Sequence, residues 1–337
     1  MAPYVNNIPA RNQIPVLPDL SPAEFQESWT HKPFILTEPV RKWPIYSSWT
    51  EESFVNKHAR TKFRAEETVD WPLENYIEYM RDNSDESPLY LFDRSFVDKM
   101  DLPTEGETAA FTSPACFGDD YFAVLGDQRP DHRWLIVGPG RSGSKFHKDP
   151  NATSAWNAVL RGSKYWIMFP GTTTPPGVYV SADQSEVTSP LSIAEWLLNF
   201  HAAARKSAHC MEGICGEGEV LHVPSGWWHL VVNLDMSSAV TQNFIPHRHL
   251  SAALDFLKNK PDQVTGFKSD VKDPYGLFVE RMQAVYPDAL EAATKELEGK
   301  KKRKWEEVVK GNEVDTSDDA GGFSFGFGDD GSDVEVP

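Results

Sequence analysis

Between Arg133 and Pro246 the chain breaks into short apolar runs set off by glycine and proline. They are Trp134-Leu135-Ile136-Val137, Ala155 to Leu160, Tyr165-Trp166-Ile167-Met168-Phe169, Glu219 to Val223, Leu230-Val231-Val232 and Ala239 to Phe244. Many short strands separated by turn signals predict a β-sandwich or barrel. One helical insert interrupts them, Ser192 to Ala204, with Ile193, Trp196, Leu197 and Phe200 on one stripe.

The flanks have a different texture. Upstream, Ser21 and Pro22 read as N-cap and first helical position of a short helix over Pro22 to Phe25, with Trp29 beyond it. Pro33 to Leu36 and Leu89 to Phe92 read as strands, and Thr50 to Phe54 and Pro72 to Met80 as helices. In the second helix Leu73, Tyr76, Ile77 and Met80 fall near helical spacing. After Pro246, Leu250 to Leu257, Tyr275 to Val285 and Pro287 to Val309 predict helices again. The expected organisation is an N-terminal extension at 1–20, an α/β region at 21–132 supporting the barrel, a barrel core at 133–246, a helical region at 247–310 and an acidic tail at 311–337.

Composition narrows the class of partner. A chain of 337 residues with 40% hydrophobic content and 11 tryptophans can bury a large core. Its formal charge is −17, from 50 acidic and 33 basic residues. Residues 313–337 hold eight of those acids, no Lys or Arg, and Phe323, Phe325 and Phe327 among glycines, which leaves about −9 on the remainder. Such a segment cannot bury enough surface to offset its ordering entropy, so the tail is expected to be disordered. An acidic chain does not suit a nucleic-acid sleeve, which needs a basic surface; a basic peptide or protein suits it better. The three cysteines, Cys116, Cys210 and Cys215, form neither a full disulfide set nor a zinc-ligand pattern and fit a reducing compartment. No run approaches the roughly 18 apolar residues of a membrane span, and Met1 to Leu20 lacks the apolar stretch of a signal peptide. Lys300-Lys301-Lys302-Arg303-Lys304 reads either as a solvated helix end or as a nuclear-import signal, so the expected location is nuclear or cytoplasmic, with the basic block tilting toward the nucleus.

The chemistry concentrates in Lys145-Phe146-His147-Lys148-Asp149-Pro150 and in Gly226-Trp227-Trp228-His229. In a strand, residues i and i+2 share a face, so His147 and Asp149 can bind one ion while Lys148 points away. His229 would complete a two-histidine, one-carboxylate set, the arrangement of non-haem Fe(II) oxygenases, if a second strand brings it alongside. Taken alone, His-x-Asp is also found as a pair of solvated residues at a strand edge.

Several further motifs agree in order and spacing. Gly138-Pro139-Gly140-Arg141-Ser142-Gly143 leads into the histidine motif, followed by Thr153 to Asn157, Gly162 to Pro170, Val223 to Asp235 and Thr241 to Phe244. Together they resemble the jumonji-C family of Fe(II)- and 2-oxoglutarate-dependent oxygenases, most nearly its bifunctional arginine demethylase and lysyl-hydroxylase group, over roughly Ser21 to past Pro246. The resemblance implies a mainly β fold: a double-stranded β-helix, or jelly-roll, cupin-like barrel, with N-terminal α/β elements and C-terminal helices. It implies Fe(II) held by His147, Asp149 and His229, with 2-oxoglutarate and O2 as cosubstrates. Lys164 matches the lysine that pairs with the distal carboxylate of 2-oxoglutarate, where a carboxylate stripped of water needs a charged partner. Asn157, Thr241, Asn243 and Tyr90 match positions that hydrogen-bond the cosubstrate or orient the site. Ser144 stands where close relatives usually carry threonine; the hydroxyl survives and the methyl is lost.

For substrate, the resemblance favours hydroxylation of lysine side chains in a protein, with demethylation of arginine or lysine through N-methyl hydroxylation as the alternative. Two other readings are a non-catalytic jumonji-C-like binding module, whose usual sign is a lost ligand or lost cosubstrate lysine, and a sugar-binding or storage cupin. The stripe Leu277, Phe278, Met282 and Val285 fits either a homodimer interface or packing on the chain's own barrel.

Overall fold

The computed structural model describes residues 12–65 and 69–313. The acidic Phe/Gly segment beyond 313 and the first half of the N-terminal extension lie outside them. The chain divides into two compact units after Ala293. In the second unit, Lys300 and Glu296 pair at i,i+4, 2.7 Å apart on a helical surface. Lys300 to Arg303 are exposed.

Eight strands of the first unit carry the core: β1 Arg133–Gly138, β2 Gly143–His147, β3 Ser154–Arg161, β4 Lys164–Phe169, β5 Met211–Cys215, β6 Val220–Val223, β7 Trp228–Asn233 and β8 Ser237–Phe244. They form two facing sheets in the orders β6-β3-β8-β1 and β5-β4-β7-β2, every neighbouring pair antiparallel. With one exception, β4 to β5, successive strands change sheets, which is the path of a jelly roll, or double-stranded β-helix. The larger sheet extends past β6 through Phe34–Leu36 and Val16–Leu17, and past β1 through Leu91–Asp93, Lys62–Ala65 and Val69–Pro72.

The runs that read as uninterrupted apolar sequence are strands covered on both faces. In β4, Trp166 and Met168 point between the sheets against Ala155, Val159, Leu221 and Val231. Tyr165, Ile167 and Phe169 point outward, under the insert residues Ile193, Trp196 and Leu197. That insert forms two short helices, Ile193–Asn199 and His201–Ala204, close to the stretch predicted for it.

On the other side, the helix Leu73–Arg81 buries Leu73, Tyr76, Ile77 and Met80, the four residues its spacing singled out. Tyr76 fixes it to the sheet. Its hydroxyl accepts from the Leu91 amide at 3.0 Å and donates to Val137 O at 2.8 Å or Leu89 O at 2.9 Å. This clamp holds Tyr90 just ahead of strand Leu91–Asp93, one short step from its predicted place within a strand.

Two core strands escaped the apolar-run reading, β2 with its polar Ser144, Lys145 and His147, and β5. β5 carries a fully buried Glu212, which Arg205 and His201 of the insert and Tyr165 of β4 satisfy at 2.8, 3.0 and 2.6 Å. Burial pushes this carboxyl up, but hydrogen bonds from His201, Arg205 and Tyr165 outweigh it and hold it down at about 2. The helix Pro274–Val285 buries Phe278 and Met282 within the first unit; Phe278 meets Phe122 edge to face at 5.0 Å, while Val285 stays exposed.

Candidate metal centre

β2 and β7 are neighbours, and their register sets His147 opposite His229. The ring centroids are 4.1 Å apart. Asp149 departs from the shared-strand expectation: β2 ends at His147, and Asp149 caps the 3-10 turn Pro150–Ala152. The reason is Pro150, which denies the preceding residue helical geometry and holds Asp149 extended at φ −62°, ψ 145°. That conformation continues the i, i+2 relation after the ladder has stopped. Lys148, between the two ligands, lies over the Trp228 ring at 4.6 Å. Ligating atoms of His147, Asp149 and His229 all lie within 4.8 Å of one another.

The tautomers follow from the backbone. Nδ1 of His147 meets Lys145 O at 2.7 Å and Nδ1 of His229 meets Trp227 O at 3.2 Å, each the carbonyl two residues earlier. A carbonyl only accepts, so both Nδ1 atoms donate and both Nε2 atoms are left as ligands. Burial holds His229 well below the usual imidazole range, hence neutral. Asp149 is pushed up to about 6 by burial, against the opposing pull of His147 and Asn243. Its Oδ1 accepts from Asn243 Nδ2 at 3.4 Å, whereas Oδ2 is buried with no protein partner among the described residues. An orphaned buried carboxylate oxygen is costly until a cation takes it. Two imidazoles that each present Nε2 and one carboxylate, with that oxygen waiting, fit a divalent first-row metal.

These ligands open into a cavity of about 210 Å³ whose wall also includes Asn157, Thr241, Asn243, Tyr90 and Ser144. Eight of the nine sequence-predicted site residues therefore meet in one place. Asn157 and Thr241 are register partners on β3 and β8. Thr241 Oγ1 donates to Trp156 O at 2.8 Å, and Asn243 Nδ2 bridges Thr153 Oγ1 at 2.8 Å and the metal-facing Asp149. The ninth, Lys164, stands behind Tyr90 rather than on the cavity wall. Its fully buried Nζ donates to Asn233 Oδ1 at 2.8 Å and Tyr90 Oη at 3.1 Å. Burial, only partly offset by Cys215 and Asp235, pulls this ammonium down to about 7. A second cavity, about 510 Å³, shares Tyr90, Phe92 and Ser144 with the first and includes Arg64, Arg141 and Lys145.

Sequence reading missed the aromatic part of the wall: Phe92, Trp134 and Trp166. Phe92 and Trp134 stack at 5.5 Å, and the Trp166 ring lies 5.9 Å from that of His229. The available signal was alternation, since Trp166 follows Lys164 by two residues on the same strand. His247 and His249, an i, i+2 histidine pair outside this cavity, meet Tyr121 and Ser154 at 2.8 and 2.7 Å.

Two sheets wound as a jelly roll around a His-x-Asp…His cluster define a cupin-type metal site, and the chain belongs to the cupin-like domain family, which matches residues 22–249. It is similar to Arginine-specific demethylase JMJ22 of Arabidopsis thaliana, 39% identical over 82% of this chain and 55% of the relative. It is also similar to the bifunctional arginine demethylase and lysyl-hydroxylase psr-1 of Caenorhabditis elegans, at 34% identity over 63% of this chain and 55% of the relative. The human 2-oxoglutarate and iron-dependent oxygenase JMJD4 matches at 28% identity over 56% of this chain and 45% of the relative. The chain spans about half the length of these curated relatives. No helix among the described residues is long and apolar enough to cross a membrane.

Proposed function

We propose that this chain is an Fe(II)- and 2-oxoglutarate-dependent protein oxygenase that hydroxylates lysine side chains of a protein substrate. The observation that carries this reading is the His147, Asp149, His229 cluster, with ligating atoms within 4.8 Å and an unpartnered Asp149 oxygen, at the wall of a cavity that reaches Tyr90. Relatives named as oxygenases and demethylases support it. Retention of all three ligands and of Lys164 argues against a binding-only module.

In this mechanism His147 and His229 would offer Nε2 and Asp149 a carboxylate oxygen to the metal. When bound, Fe(II) with 2-oxoglutarate and O2 supplies insertion of one oxygen atom into a C–H bond, with succinate and CO2 as co-products. The protein's own work is orientation. Lys164 would neutralise the far carboxylate of the cosubstrate, with Tyr90 and Asn233 fixing its Nζ. Asn243 holds the Asp149 carboxylate in place. Phe92, Trp134 and Trp166 would give the cavity an apolar wall beside the reacting bond. The exposed basic block Lys300 to Arg303 supports a nuclear location.

The test is succinate release from 2-oxoglutarate with Fe(II) and candidate peptides, against His147→Ala and Asp149→Ala. Equal turnover in the variants sinks the assignment. A second reading, removal of N-methyl groups from arginine, is favoured by the name of the Arabidopsis relative. Both products begin with the same C–H oxidation, and mass spectrometry separates them: a retained oxygen marks the hydroxylase, loss of methyl with formaldehyde the demethylase.

A further inference from the structure

The ladder between β8 and β1 ends where Gln242 pairs with Arg133. One residue further on stands Asn243, whose side-chain amide joins Asp149 Oδ1 to Thr153 Oγ1. Its backbone N–H still donates to His132 O at 2.8 Å. Its carbonyl accepts from a side chain instead, Nη2 of Arg129 at 2.9 Å. The same nitrogen pairs with Asp120 Oδ2, while Asp120 Oδ1 accepts from the Ile245 amide at 3.0 Å. Asp120 and Arg129 flank the 3-10 stretch Tyr121–Gln128, so the two ends of one short segment grip the chain on either side of Phe244.

Stability is a poor reason for this ion pair. Its side chains are only 9% and 14% exposed, so both charges are largely stripped of water, and replacing such a pair with uncharged groups that pack as well often costs nothing. Arg129 Nε is also buried without a partner among the described residues, which is a cost. What the guanidinium secures is geometry: it extends the hydrogen-bonded edge of β8 by one residue, at the residue whose side chain holds a metal ligand.

We propose that Arg129 is a positioning residue of the metal centre. Anchored by Asp120, it fixes the Asn243 backbone where the strand ladder has ended, and through the Asn243 amide it sets the Asp149 carboxylate. The inference rests on the metal centre of the proposed oxygenase.

The experiment uses the full chain and Co(II), whose visible absorption reports coordination geometry. Asp120→Asn combined with Arg129→Met removes both charges together and keeps an oxygen for the Ile245 amide, so the thermal midpoint of the metal-free protein is expected to stay near the wild-type value. Co(II) affinity, measured by chelator competition, is expected to fall about 10-fold, with a changed absorption band. Adding Asn243→Ala to this pair is expected to cost little more, because residues that act through one contact are not additive. Affinity within twofold of wild type overturns the inference, and so do fully additive losses. Should the paired variant not fold, Arg129→Met alone, titrated below its thermal midpoint, takes its place with the same expectations; failure of both to fold marks the ion pair as structural and overturns the positioning role. Wild-type protein that takes no Co(II) removes the metal centre and this role together, whereas protein that takes Co(II) but no 2-oxoglutarate removes the oxygenase reading alone.

Discussion

Lys164 and Asn233 are cross-strand partners on β4 and β7, and their Nζ and Oδ1 meet at 2.8 Å with neither residue exposed to solvent. A cation buried against neutral oxygens is an incomplete ion pair. Under the proposed function, the cosubstrate carboxylate would complete it.

Cosubstrate binding should therefore depend on pH. Burial holds Lys164 down at about 7, so below that pH the free protein already carries the charge a carboxylate needs. Above it, binding requires proton uptake, and affinity for 2-oxoglutarate should fall by up to about tenfold per pH unit. The sign for stability is opposite: between about 7 and the ordinary lysine value of 10.5 the unfolded chain binds more protons, so this residue makes the fold more stable as pH rises. Calorimetry across that range checks the affinity, and a flat profile refutes the role. Lys164→Met should abolish the pH dependence and weaken 2-oxoglutarate binding without lowering the thermal midpoint.

Asn243 holds the candidate ligand Asp149 by a hydrogen bond. Asn243→Ala removes the amide that joins Asp149 Oδ1 to Thr153 Oγ1. Metal affinity should drop by about 10- to 100-fold, the usual cost of losing an outer partner, with the fold intact. Metal titration followed by circular dichroism distinguishes this from unfolding.

The Glu212 cluster should behave as a structural ion pair. Arg205→Met leaves a buried carboxylate short of its main cation and should cost about 3–5 kcal/mol in denaturant unfolding. Because Glu212 is held down at about 2, its contribution is fully present above the ordinary carboxylate range and is lost as pH falls toward 2. The gap between wild type and variant should accordingly narrow in acid. A gap independent of pH would point to packing alone.

Gly162 turns the corner between β3 and β4 at φ +76°, and a Cβ there would collide with Met236 O and Asp235 Oδ1. Gly162→Ala should destabilise by about 1–3 kcal/mol. It should also weaken 2-oxoglutarate binding, because Lys164 begins the strand that this corner launches. Unchanged affinity in the folded variant would show that the corner has slack.

How much of this was legible in sequence depends on what covers each residue. Six core strands announced themselves as apolar runs because both of their faces are buried. β2 did not, since Ser144, Lys145 and His147 make it polar, and neither did β5, whose pattern Glu212 breaks with support from Arg205, His201 and Tyr165. That His147 and Asp149 share a side could be read from spacing, but Asp149 was placed on a strand that Pro150 in fact ends. Lys164 was identified by motif, whereas its retreat behind Tyr90 is a matter of depth that no linear pattern carries. Trp166 was hidden by its neighbours: in a strand apolar on both faces, one cavity-lining indole looks like the rest of the core.

The register of His147 against His229 has a mechanical consequence. Their separation is set by the spacing of two hydrogen-bonded strands, about 4.8 Å in any sheet, so the two imidazoles act as a caliper with a fixed gauge. Asp149 sits off the ladder, on a turn. The third arm is gauged separately, by Pro150 and by the Asn243 amide, so the spacing of the two imidazoles and the reach of the carboxylate are set by different parts of the chain.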